Sequence, residues 1–152
     1  MFLSQLLTKI FGVNFSVAKK LAKMNLEIAN KAIKAAKSKS KSLNVKSNIA
    51  IVDAGGNLVA SARMDNSACG TEDISIKKAK SAALLQVPSG YIPMQGLCTV
   101  PGGVPIFDGK NVLIGGIGVS CGIGNLAESR DVKLREIRYD LDIANAGKNA
   151  AK

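Results

Sequence analysis

No histidine occurs anywhere in the 152 residues. That absence excludes a Ser-His-Asp triad, a Cys-His nucleophile pair, a Cys₂His₂ zinc site and a haem held by histidine. Tryptophan is also missing and aromatic residues make up 4% of the chain, so the core is aliphatic. The cysteines, Cys69, Cys98 and Cys121, are odd in number and form no CxxC pair, which argues against a disulfide framework and for a reducing compartment. No apolar run approaches the ~20 residues of a membrane span. The apolar start of the chain has neither a basic region before it nor a clear cleavage site after it, so no secretory signal is read there.

Acidic residues are scarce at one end. The first 48 residues hold ten lysines and a single acid, Glu27, whereas residues 49–130 are balanced and residues 131–152 add +1 to the total of +10. The basic character therefore belongs to the leading segment and not to the body of the domain. A nucleic-acid-binding domain would carry its basic patch on the folded face, so no specific nucleic-acid partner is expected. A solvated, lysine-rich helix and arm is the expected reading.

What is present suits one domain with a single core. Residues 1–24 read as a basic amphipathic arm, with Phe2, Leu3, Leu6, Leu7, Ile10 and Phe11 on one helical face. Its expected partner is the domain or a neighbouring subunit. The alternatives are weak contact with a membrane surface and organelle targeting, although the arm lacks the arginines of a transit peptide. The cytoplasm is the expected location. Residues 25–147 form the domain and 148–152 a tail.

Residues 25–43 predict a helix capped by Asn25, with Leu26, Ala29, Ile33 and Ala36 as the buried stripe. NIAIVDAGGNLVASARMD, residues 48–65, predicts a β-hairpin whose turn needs Gly55 or Gly56 at positive φ. A second helix starts at Thr71 as its cap and ends near Gln86. Residues 87–103 form a long loop broken by Pro88, Pro93 and Pro101. A loop of that length in a small domain is usually functional or interfacial. A second hairpin turns at Asp108-Gly109, and a last helix runs over 126–146, capped by Asn125, with Leu134, Ile137, Leu141 and Ala144 inward. The order helix, hairpin, helix, hairpin, helix predicts an α/β (α+β) fold with an antiparallel sheet flanked by helices.

Chemistry-bearing residues are few. GGIGVSCGIG, residues 115–124, does not satisfy GxGxxG and lies largely inside a late strand, so it is not read as a phosphate loop. Glycine within a strand points instead to a bulge or to close approach of another backbone or ligand. Asp65, Glu72 and Asp73 are hard oxygen donors near one helix start, where matching of the helix dipole is the simpler explanation than a cation site. Lys78 lies on a mostly apolar face and needs an acidic partner, either Asp53 or Asp65 or an acidic ligand. Gly102 and Gly103, preceded by Cys98 and Thr99, allow a ligand or second chain to approach backbone N–H groups. Cys69 and Cys121 read as small apolar residues.

Four pieces, IAIVDAGGNLVASARMD, ISIKKAKSAA, VPGGVPI and IGGIGVS, occur in an order and spacing that resembles the GlcG/HbpS-like haem-binding or "haem-degrading" family, which includes the C-terminal module of PduO proteins. The resemblance covers roughly residues 26–125. It implies a profilin-like sandwich and a haem- or tetrapyrrole-binding homo-oligomer, a dimer or a higher even number, with haem-degrading ability as an extension. Lys78 matches the family's helix lysine. The candidate ligand-binding residues are Arg63, Lys78, Cys98, Thr99, Gly102 and Gly103. With no histidine, the candidate iron ligands are Cys98, Met94 and Tyr91, with Thr99 a weaker choice, and the lysines of the first helix are expected to meet the propionates. The alternatives are an assembly protein without ligand and an enzyme or accessory protein of small hydroxy-acid metabolism. No complete catalytic constellation is present. The sequence departs from the family at 121–131, CGIGNLAESRD, where relatives carry a GGTPEQD-like loop, and the adenosyltransferase half of PduO proteins is absent.

Overall fold

The computed structural model of the chain describes residues 23–122 and 130–152. The first helix, α1, spans Leu26–Ser42. Asn25 caps it by accepting the Ile28 N–H at 2.8 Å, Glu27 sits in its first turn, and Lys39 and Lys41 sit in its last, where each charge opposes the helix dipole. Its inner face is almost all alanine: Ala29, Ala32 and Ala36 are fully buried beside Ile33. Leu26, assigned to that stripe by spacing, is 59% exposed in the first turn, and Ala32 takes a place in the inner face instead. Asn44, at φ +53, ends the segment.

Two hairpins follow the same plan. Strands β1 (Asn48–Asp53) and β2 (Leu58–Arg63) form the first; β3 (Gly103–Phe107) and β4 (Leu113–Ser120) form the second. In each, an aspartate opens the turn. Asp53 Oδ1 accepts the N–H groups of Gly55 and Asn57, and Asp108 Oδ1 accepts those of Lys110 and Val112. In each, the fourth residue takes positive φ: Gly56 at +80° and Asn111 at +61°. The first turn is as the sequence predicts. In the second, the left-handed residue is Asn111 and not Gly109, because asparagine tolerates that region.

The four strands form one antiparallel sheet in the order β2-β1-β4-β3. Its two faces differ. On one, Ile49, Ile51, Val104, Ile106, Ile117 and Val119 pack against α1 and the last helix, α3 (Arg130–Ala150). On the other lies α2 (Thr71–Leu85), over Ala50 and Val52 and the bare backbone of the glycines. Cβ atoms at Gly103 and Gly118 would run into the carbonyls of Lys78 and Ser75, and one at Gly116 would stand 2.6 Å from that of Ala79. Those glycines thus admit a helix, and the backbone that approaches them closely belongs to α2. Thr71 is the first residue of α2 and not its cap; Gly70 holds that position at φ +78, while Thr71 Oγ1 bonds buried Asn48 and the Ala68 carbonyl.

Along α3 the inward face is Asp140, Ile143, Ala144 and Gly147. Leu134, predicted inward, is 55% exposed, since the true stripe is rotated to bring a carboxylate inside. The helix continues through 148–150 and Ala151 is 5% exposed, so the tail is part of this layer. Most of the arm (1–22), the cap at Asn125, the helix start at 126 and most of the 121–131 loop lie outside the described residues.

Candidate functional site

Strand β3 begins, and β4 ends, at the same end of the sheet, and there the loop 86–102 leaves α2 and enters β3. Two serines pin it. Ser81, buried on α2, accepts the Cys98 N–H at 2.7 Å. Ser89 Oγ donates to the Val100 carbonyl at 2.7 Å and accepts the Gly103 N–H at 2.9 Å. Between these points the chain folds on itself through Tyr91 N–H to the Pro88 carbonyl and Leu97 N–H to the Met94 carbonyl. The result is a fastened loop whose apolar side chains face outward: Tyr91 is 76% exposed, Met94 50%, Val100 45% and Ile92 43%. Thr99 is exposed beside them and Cys98 is half-buried. The loop therefore brings Tyr91, Met94, Cys98 and Thr99 onto one short segment.

Beneath it lies a buried charged cluster. The Lys78 ammonium crosses from the α2 face, past Gly102, to α3, where it donates to Asp140 Oδ2 at 2.6 Å and to the Val119 carbonyl at 3.0 Å. Both side chains are 2% exposed. Asp140 Oδ1 accepts the Cys121 N–H at 2.8 Å. Burial raises the Asp140 carboxyl above its ordinary value, while the Lys78 charge and the Cys121 hydrogen bonds pull it back. Burial also drives the Cys121 thiol far up, helped by the neighbouring Asp140 charge, so this sulfur stays protonated.

This cluster revises three expectations. The partner of Lys78 is Asp140, not Asp53 or Asp65. Asp53 is engaged in its turn, where partial burial raises its carboxyl but the hydrogen bonds from Asn57 and Gly55 outweigh that and hold it low. Asp65 is exposed. Lys78 is enclosed by the protein, so an acidic ligand is not what neutralises it. Gly102, at φ +123, makes room for the pair: a Cβ there would stand 2.9 Å from Lys78 Nζ and from Asp140 Cβ. Gly103 is buried and its N–H is taken by Ser89, so it is not open to a ligand.

Other candidates stand apart. Arg63 is exposed at the end of β2, on the far edge of the sheet from the loop, about 14 Å away at a strand spacing of ~4.8 Å. Asp65, Glu72 and Asp73 do not converge, and no group of three Cys, Asp or Glu side chains placed to hold a metal occurs among the described residues. The lysines of α1 lie across the sheet from α2, so they do not converge on the loop and are not placed to meet propionates there. Sequence reasoning missed Asp140, Ser81 and Ser89. The spacing of Asp140 to Ile143, Ala144 and Gly147 was the available signal.

These layers define a small α+β sandwich whose open edge is a pinned loop over a buried ion pair. Residues 24–129 match the family described as haem degrading protein HbpS-like, and the chain belongs to that family. Its fold is that of several solved structures. A doubly substituted HbpS from Streptomyces reticuli is 23% identical, with a TM-score of 0.71 over 86% of this chain and 88% of that one. The ORFY protein of Klebsiella pneumoniae is 23% identical, with a TM-score of 0.70 over 87% of this chain and 93% of its own. A PduOC complex with haem is 21% identical, with a TM-score of 0.68 over 85% of this chain and 95% of its own. No curated protein matches the chain in sequence.

Proposed function

We propose that this protein binds haem or a related tetrapyrrole on the loop 86–102 and works as a homo-oligomer. Family membership supports the ligand class, as does the haem in the PduOC complex. The observation that carries the reading is the exposure of four apolar side chains, Tyr91, Ile92, Met94 and Val100, on the loop that also bears Cys98. A flat macrocycle needs such a surface, and exposed apolar patches of this kind mark ligand or protein contacts.

The donor set fits a haem held without histidine. Tyr91, Met94 and Cys98 supply phenolate, thioether and thiolate, each an established class of iron ligand, and Thr99 is the weaker choice. Cys121 adds nothing to that set, because burial pushes its thiol pKa far up. Ser81 and Ser89 hold the loop from below, so the ligand-bearing segment is preorganised. Bound haem would supply the iron chemistry; the chain supplies the seat and the axial ligand. The same exposed side chains also suit contact between subunits.

Titration with hemin, followed by visible absorption, tests the reading. The wild type is expected to give a saturable Soret shift. One of Cys98→Ala, Met94→Ala, Tyr91→Phe or Thr99→Val is expected to change its position. Decay of the bound Soret band under a reductant and oxygen, faster than for free hemin, would extend the reading to haem breakdown. No saturable shift in the wild type would end it.

A further inference from the structure

Helix α1 carries a dense run of one charge sign that the haem reading leaves unused. Lys31, Lys34, Lys37 and Lys41 are exposed along it, and Lys39 is half-buried. The helix holds one acid, Glu27, which pairs with Lys31 at 2.8 Å. No ion pair reaches the other four lysines among the described residues. Asn30, Ile33, Lys34, Lys37, Ser38 and Lys41 line an open groove of about 470 Å³. The neighbouring α3 mixes its charges, Asp131, Glu136 and Asp142 with Lys133, Arg135 and Arg138, and so presents no face of acidic residues alone. The opposite side of α1 is closed by fully buried Ala29, Ala32 and Ala36, so the helix is anchored whatever its outer face meets.

The chemistry of the cations selects the occupant. No arginine occurs before Arg63, and all ten basic residues of the first 48 are lysines. Specific readout of nucleic acids favours the planar fork of arginine and aromatic stacking beside the phosphate contacts, and α1 has neither. The diffuse negative potential of an anionic lipid surface asks only for a cluster of point charges. We infer that α1 is a docking surface for an anionic phospholipid bilayer, met side-on through Lys34, Lys37 and Lys41. No described helix is long and apolar enough to cross a membrane, so the contact is peripheral. It leaves the loop 86–102, on the other side of the sheet, facing away from the bilayer.

Sedimentation of the full chain with vesicles tests this. Binding is expected to vesicles of phosphatidylcholine with phosphatidylserine and not to phosphatidylcholine alone. Raising salt from about 0.1 M to about 1 M should release the protein, as the screening length falls from ~10 Å to ~3 Å. The triple variant Lys34→Gln, Lys37→Gln, Lys41→Gln should partition on the order of a hundredfold less, at about fivefold per lysine. A control with equal charge loss elsewhere, Lys77→Gln, Lys80→Gln, Lys110→Gln, should stay within about threefold of wild type. Thermal melts check that both variants fold, and the lipid and salt arms on wild type stand without them. No binding to phosphatidylserine vesicles, equal binding to neutral ones, or equal loss in both triple variants would overturn the inference. Tighter capture by duplex DNA or by RNA at the same salt would overturn the choice of occupant.

Discussion

Lys78 and Asp140 hold two layers of the sandwich together through one contact of 2.6 Å. Removing either partner leaves a charge or its polar remnant in an apolar interior, whereas replacing both removes the conflict. Lys78→Met or Asp140→Leu alone should therefore cost about 3–5 kcal/mol in urea unfolding, and the double variant should recover most of the loss. Single losses below about 1 kcal/mol would mean that the pair is solvated or replaceable. The sequence marks Lys78 as a cation in need of a partner, because lysine is almost never buried alone. It does not mark which carboxylate answers, since the partner lies 62 residues away on another helix. Local spacing carries no register between elements that far apart. The same limit explains why the serines under the loop escaped notice: a serine's role as a staple depends on what folds over it.

At the scale of elements, the hairpins were legible because their turns are local. An aspartate and a residue at positive φ, three positions apart, write both of them. The glycines of β4 were legible only as a question. The answer is that α2 rests directly on the sheet backbone, with carbonyls where side chains would be. Gly118→Ala forces a methyl against the Ser75 carbonyl and must push α2 outward. Overpacking of this kind costs about 1–3 kcal/mol or more. Gly56→Val at the first turn should cost a similar ~1–3 kcal/mol through backbone strain at φ +80. The two are separable by urea unfolding combined with near-ultraviolet circular dichroism. Gly118→Ala should disturb the packing signal before unfolding, and Gly56→Val should lower the midpoint alone. If both are neutral, neither the close helix seat nor the turn geometry stands. The rotated face of α3 is the element-level failure. Apolar periodicity counted Leu134 inward, and the buried carboxylate of Asp140 set the phase instead.

For the whole molecule, the two sides of the sheet carry different tasks in this account. The α2 side carries the loop, and the α1 side carries the lysines. Leu58, Leu84 and Leu134 are exposed on three different elements, and the oligomer proposed above would be closed by symmetry. Light scattering at micromolar concentration is expected to give a dimer or a higher even-numbered assembly. A monomer at high micromolar concentration would remove the oligomer from the proposal and leave the loop as a ligand site alone.

Hydrogen–deuterium exchange with and without hemin tests most directly whether haem sits on the loop. On saturation, amides over 90–100 and the end of α2 around Ser81 should gain protection, because a seated macrocycle stops local opening of that segment. Amides of α1, across the sheet, should be unchanged. Protection confined to α1, or no change at the loop while the Soret band reports full binding, would contradict the account.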